Sequence, residues 1–433
     1  MKGKQFLSLM LMILLSGIIQ AQDKLVLDLP GARLHALQYN KTLKNSSLAT
    51  EKSVLQLKEA IAAGLPQISA TMDYSNALGA SISIRFNEDM PASEIPIRPT
   101  SNFNLRVNQL LFSGNYFVGL QLARLGTTLT SKSHEKNEQD IIAQVNDSYY
   151  LVLLSEEMLK LLDLNMKNLK DIYAKTAAME VVGIIEKTDV DQLSVQISAL
   201  QNAVNSAQRQ LEMAQNMLRL QLGVSAETEM DLTENLSDVL GKVTNPALQS
   251  PLFSVGQNLD YQLIEFQEQL SEKQVLMAKS NFLPTLVGFY ARTEKILKPD
   301  FDMSPKNMVG LSLTIPIFSG GTRMAQVKQA QVDLETTRNT KALLTEQLEI
   351  QNKQLQFNLR NAMETYTNQV ANLDVSRRVY NNLKLKFEHG MISGLDLVTA
   401  DNNYVKAETD YISAIYQILS ARVELDKLYG QLK

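Results

Sequence analysis

The chain has 433 residues, 45% of them apolar, a formal net charge of -4 and no cysteine. Its size admits one long architecture or two to three ordinary domains. Interspersed charges of both signs exclude the basic surface of a nucleic-acid partner, and the missing thiols exclude disulfides, a cysteine nucleophile and a cysteine-ligated metal.

The N-terminal stretch MKGKQFLSLMLMILLSGIIQAQDK carries Lys2 and Lys4, an apolar run from Phe6 to Leu15, and Ile19-Gln20-Ala21 before Gln22. This is the layout of a secretory signal peptide over residues 1–21, cleaved after Ala21, with a retained anchor as the other reading. After it no apolar run reaches the roughly 20 residues that cross a bilayer as a helix. An exported chain of this kind must make any membrane crossing with strands.

Next comes a helix over residues 43–63, stopped by Pro66, and then alternating stretches. In the first strand Ile68, Ala70, Met72 and Tyr74 alternate with polar residues; in NFNLRVNQLLF, Phe103, Leu105 and Val107 do the same. The same order returns later: a helix over 260–281, Pro284, a strand with the apolar set Val287, Phe289 and Ala291, and MVGLSLTIPIF. One face of each strand is wet and the other apolar, as in a soluble sandwich or a membrane β-barrel. Phe112, Phe282 and Phe318 fall at strand ends, where an aromatic girdle or a buried core would use them equally well. Four strands cannot close a pore and open edges are not tolerated in lipid, so in the membrane reading several chains share one barrel.

After each strand pair a very long helix follows. Residues 127–182 and 322–389 contain no glycine and no proline. At 1.5 Å per residue such helices reach roughly 85 to 100 Å, against an average of about 11 residues in globular proteins. Apolar positions recur at three and four, as Leu154, Met158, Leu161, Leu169, Ile172 and as Leu359, Ala362, Tyr366, Val370, Leu373, Tyr380, Leu383. The seams hold many Asn, Gln and Ala, which suits helices packed side by side around a wet interior or an irregular bundle. Gly183 and Gly390 turn the chain back, and Thr188 and Ser393 are expected to cap the return helices.

The chain is thus written twice. Gly114 and Gly320 lie 206 residues apart, while Gly183 and Gly390, and Gly223 and Gly430, lie 207 apart. GLPQI at 64–68 answers FLPTL at 282–286, and Asn40 and Asn258 each stand 26 residues before Pro66 and Pro284. Landmarks repeated in one order are a duplication. The expected layout is a first repeat over 22–223 (helix, β-hairpin about 66–112, long helix 115–182, return helix 188–222), then a polar, mid-height connector over 224–257. The second repeat spans 258–433 (helix, β-hairpin about 284–318, long helix 322–389, return helix 395–429). The first copy carries about twelve extra residues around NEDMPASEIPIRPT. The junctions of strand and helix are Pro66, Phe112, Gly114, Pro284, Phe318 and Gly320.

These landmarks, with LLFSGN, IPIFSGG, GIIEKTDVDQL and GMISGLDLVTA, resemble the outer-membrane efflux protein family of the TolC type over residues 30–430. The resemblance implies a mostly α fold with a small β part. It implies a homotrimer with a twelve-stranded transmembrane β-barrel in outer-membrane lipid, continued by a long periplasmic α-helical barrel. Such proteins are passive exit ducts, joined by a periplasmic adaptor (a membrane fusion protein) to an inner-membrane transporter of the RND or ABC class. The cargo is small molecules such as drugs, toxic compounds or metals; a type I protein-secretion channel or a periplasmic coiled-coil stalk are the alternatives. The adaptor would meet the turns around 180–192 and 387–399, at Gly183, Thr188, Asp189, Gly390, Ser393 and Leu395. A tip gate would use Asp396, with Thr399 and Phe387 at the family's neighbouring positions and Ile392 where the best-known member has Arg. Asp396 could instead only favour the first turn of its helix, and Asp189 is expected to do no more. No cofactor and no metal are implied. GNYFVG and FSGG lack the lysine and setting of a phosphate loop, so no enzyme is expected.

Overall fold

The structure is a computed structural model that describes residues 24–85, 91–243, 252–297 and 304–432. The expected signal peptide lies outside the described residues. Eight α-helices are described: α1 (Leu29–Tyr39), α2 (Lys41–Ala62), α3 (Gly114–Val181), α4 (Lys187–Leu222), α5 (Leu236–Val243), α6 (Leu259–Ser280), α7 (Thr322–Glu388) and α8 (Gly394–Leu428). The strands are β1 (Leu25–Leu27), β2 (Gln67–Ser75), β3 (Ser81–Ile84), β4 (Ser93–Pro96), β5 (Thr100–Ser113), β6 (Met230–Leu232), β7 (Thr285–Leu297) and β8 (Asn307–Thr314). None of the described helices is long and apolar enough to cross a membrane.

The chain divides into two units. One gathers the described residues up to Ser47, from His134 to Tyr261 and from Leu344 onward; the other takes those of Leu48–Ser133 and Gln262–Leu343. The first unit holds the largest core, in which Tyr149 and Val145 of α3, Leu218 and Leu222 of α4, and Ile415 and Leu419 of α8 are all essentially inaccessible. The apolar stripes of α3 and α7 feed it: Leu161 and Ala362 are core members, and Leu154, Met158, Leu359 and Tyr366 pack against them.

The connector is less plain than its polar composition promises. Its β6 pairs in parallel with β1, and α5 buries Leu236, Val239 and Leu240 in the same core. Glu234 ties the two together, accepting from the Leu29 backbone N–H at 2.9 Å and the Tyr149 hydroxyl at 3.2 Å. Neither the N-terminal strand nor α1 was expected, although Asp28 and Pro30 are a helix-start signal: Asp28 Oδ1 accepts from the Gly31 N–H at 2.8 Å.

The second unit is built on one antiparallel sheet in the order β2-β5-β7-β8. The preceding helices end at Ala62 and Ser280, four residues before Pro66 and Pro284, and β2 and β7 begin on the residue after each proline. Of the extra stretch in the first copy, residues 87–90 lie outside the described residues, and β4 pairs with the preceding β3 as a separate two-stranded ribbon. The last strand is shorter than the sequence implies. β8 stops at Thr314, because Pro316 has no N–H to give to a ladder, and residues 315–319 are irregular.

Candidate functional site

Both long helices end in the same chemistry. Gly183 adopts φ +78° and donates to the Glu180 carbonyl at 2.8 Å, and Ile184 donates to Met179 at 3.0 Å. Gly390, at φ +70°, donates to Phe387 at 2.9 Å, and Met391 donates to Lys386 at 2.9 Å. Such left-handed closures satisfy the last carbonyls of a helix and favour glycine.

The return helices start differently. Ser393 caps α8 as expected: its Oγ accepts from the Asp396 N–H at 3.1 Å, while Asp396 Oδ2 accepts from the Ser393 N–H at 3.2 Å and its hydroxyl at 2.8 Å. That reciprocal pair satisfies two otherwise orphaned donors. Thr188 is not a cap. Glu186 occupies that position in α4 without a side-chain cap bond, and the Thr188 hydroxyl donates to Glu186 Oε2 at 3.2 Å. An extended Glu186 starts the helix two residues earlier, which leaves Thr188 inside its first turn. Asp189 also lies in that turn, favourably placed for the helix dipole.

Behind the turns a small core joins all four helices. Leu169 and Ile172 of α3, Leu193 of α4, Tyr380 and Phe387 of α7, and Leu397 and Val398 of α8 form it, with Ile392 packed against it. The gate candidates differ in exposure. Asp396 and Thr399 are exposed, with the Thr399 hydroxyl donating to the Leu395 carbonyl at 2.9 Å, whereas Phe387 is buried. Gly394 lets α8 approach α3 closely, since a Cβ there would sit 2.8 Å from Thr176 Oγ1.

One acid in this region was not anticipated. Asp401 is 2% exposed and accepts from Asn165 Nδ2 at 2.8 Å. Burial pushes its carboxyl up to about 6, against the opposing pull of Tyr380 and Asn165. Tyr380 stacks on Tyr404 with centroids 5.5 Å apart, and Tyr404 donates to Glu408 Oε1 at 2.5 Å. The available signal was its register with Leu397 and Val398 on an apolar stripe. Around the turns Val181, Val182, Ile184, Met391 and Leu395 are exposed. Of these, Leu395 is the one expected at the adaptor-facing turns.

In the sheet, register sorts the faces. Ile68, Val107, Tyr290 and Val309 align across the four strands; Met72 and Phe103 pair on the same face, as do Gly288 with Leu311 and Leu286 with Leu313. The opposite face carries Ser69, Thr71, Asn104, Arg106, Asn108, Thr293 and Ser312. This corrects one strand. Val287, Phe289 and Ala291 lie on the polar face, because β7 alternates apolar residues on both sides and only pairing fixes its phase.

At the junctions, Phe112, Phe282 and Phe318 are exposed, which removes the buried-core reading within this chain. Gly114 and Gly320 serve different ends. A Cβ on Gly114 would meet Leu283 Cδ1 at 2.5 Å, whereas Gly320 is needed for φ +58°.

A four-stranded sheet with one largely apolar face and, among the described residues, two unpaired edges, joined along the chain to duplicated helical hairpins, fits a channel-forming outer-membrane protein with a helical extension. The pattern of the outer membrane efflux protein family matches residues 34–224 and 255–431, and the chain belongs to that family. It is 20% identical over 455 residues to the outer membrane protein TolC of Salmonella enteritidis, covering 100% of this chain and 87% of that protein. It is 21% identical to the outer membrane efflux protein BepC of Brucella suis, covering 96% and 90%. The CmeC outer membrane channel of Campylobacter jejuni has the same fold, with a TM-score of 0.75 at 18% identity over 93% of this chain and 85% of that one. The protein is accordingly an outer-membrane efflux channel, and its relatives are channels rather than enzymes.

Proposed function

We propose that three copies assemble into a passive exit duct, carrying small molecules such as drugs, toxic compounds or metals out of a tripartite pump. The observation that carries this reading is the sheet: β2 and β8 each have one edge unpaired among the described residues, and one face is exposed and apolar apart from the Arg292–Glu294 ion pair towards the hairpin turn. In lipid both features demand neighbouring strands, and three four-stranded sheets give a barrel of twelve. The exposed apolar turns at 181–184 and 391–395 suit docking of a periplasmic adaptor, which links the duct to an RND or ABC transporter. No chemistry is needed; solutes move outward through a wet passage, and the transporter sets direction. Asp396, exposed at the start of α8, supplies a polar ring at the tip.

Electron microscopy of the detergent-extracted mature protein tests the assembly. A three-fold particle with detergent bound at one end is expected. A monomeric or detergent-indifferent particle would overturn the duct.

A further inference from the structure

On the polar face of the sheet, charge is concentrated at one residue. Successive cross-strand rows read Leu110, Val287 and Ser312; Gln67, Asn108, Phe289 and Gly310; Ser69, Arg106, Ala291 and Met308; then Thr71, Asn104 and Thr293. Among these paired positions Arg106 is the one charged side chain; Lys306, whose carbonyl accepts from the Thr293 N–H at 2.8 Å beyond the end of β8, is itself paired with Glu294 at 3.5 Å. In the next row Asp73 and Lys295, both aligned with Asn102, carry opposite signs.

Arg106 is also held in place. Its Nε donates to Asn108 Oδ1 at 2.9 Å, and its guanidinium lies 5.1 Å from the centroid of the Phe289 ring. The ring is seated in turn over Gly310, where a Cβ would come within 2.7 Å of Phe289 Cζ. Gly310, Phe289 and Arg106 thus form a brace across three strands that lays an aromatic ring beneath a cation. Arg106 is exposed and forms no ion pair among the described residues. A cation without a carboxylate partner, anchored through only one of its donor nitrogens, keeps its remaining N–H groups for solute.

We infer that Arg106 is an anion-selecting station of the duct: three copies, one per protomer, form a cationic ring on the barrel wall that favours anionic solutes. This rests on the trimeric duct proposed above, in which the polar face lines the passage. Rings of arginine select anions in pores because a charged wall raises the local concentration of counter-ions. The uncharged rows of Asn108 and Leu110 leave that field uncancelled on one side, while on the other Asp73, which accepts from Asn104 at 2.9 Å, is answered by Lys295 in its own row.

The test is the reversal potential of the purified protein in planar bilayers under a KCl gradient, at about 0.01 M salt, where charge acts over ~30 Å. R106Q is expected to lower the chloride-over-potassium permeability ratio severalfold, while R106K keeps the wild-type value. Charge elsewhere in the duct, Asp396 included, is common to all three proteins. An R106Q channel that conducts with the wild-type reversal potential overturns the assignment, and so does an R106K channel that behaves like R106Q. Should R106Q fail to assemble, N108A, which releases the Nε and keeps the charge, must still match wild type at low salt. A wild-type protein that gives no conductance removes the duct itself, and the inference falls with it.

Discussion

Asn40 and Asn258, repeat mates, make the same bonds. Each donates its amide to a carbonyl at the end of a return helix, Asn40 to Gln221 at 2.7 Å and Asn258 to Leu428 at 3.1 Å. Each side-chain oxygen accepts two backbone N–H groups of the helix that follows: Thr42 and Leu43 for Asn40, Asp260 and Tyr261 for Asn258. Both asparagines are buried. Asn→Ala at either site removes a helix cap worth about 1 kcal/mol and leaves a buried carbonyl short of a donor. Each variant is expected to lose roughly 2 kcal/mol, read from urea unfolding followed by circular dichroism. A loss under about 0.5 kcal/mol, as at an ordinary surface position, would contradict the shared role.

The turn glycines separate two costs. Gly183 has open space around the position of a Cβ, so Gly183→Ala pays only for its left-handed backbone, about 1–2 kcal/mol. Gly223 has the same backbone, φ +76°, and a Cβ there would lie 2.2 Å from the Tyr39 carbonyl oxygen. Gly223→Ala is therefore expected to cost clearly more, since backbone must move. Equal losses of thermal stability in the two variants would refute the distinction.

Asp401 predicts a pH dependence of defined sign. Its carboxyl is raised from 3.8 to about 6, so the folded protein holds this proton more tightly than the unfolded chain. The stability this provides is full below about pH 4 and is lost as pH rises towards 6. Two pKa units correspond to at most about 3 kcal/mol. Asp401→Asn keeps an acceptor for Asn165 and carries no charge. Its melting temperature is expected to exceed that of the wild type at pH 7.5 and to converge with it near pH 4. A gap between the two that stays constant across this range would show that Asp401 does not titrate as described.

Asp396 can be resolved into cap and gate by comparing two variants. Asp396→Ala and Ser393→Ala each break the reciprocal pair at the start of α8, but only the first removes a charge. Single-channel recordings are expected to show a raised leak conductance for Asp396→Ala and a much smaller change for Ser393→Ala. Matching conductances would leave Asp396 as a helix cap alone.

Much of the fold was legible because it depends on local rules. Prolines 66 and 284 end helices, the glycines at 183, 223, 390 and 430 all adopt positive φ, and glycine-free stretches between them are helical. These are properties of backbone and neighbouring residues, and duplication wrote each of them twice. β1 and β6 were invisible because three-residue strands carry no period and exist only through their pairing.

By itself, then, the sequence marked the repeat, the glycine turns, the long helices, the starts of the two β-hairpins after Pro66 and Pro284, and the family. Tertiary structure decided what depends on residues distant in the chain. It set the phase of β7, which places Phe289 under Arg106, and the burial of Asp401 against Asn165 on another helix. It also buried Phe387 while leaving Asp396 and Thr399 exposed. A side chain's spacing gives its face along one element, but its solvent, charge partners and neighbours come from the element packed against it.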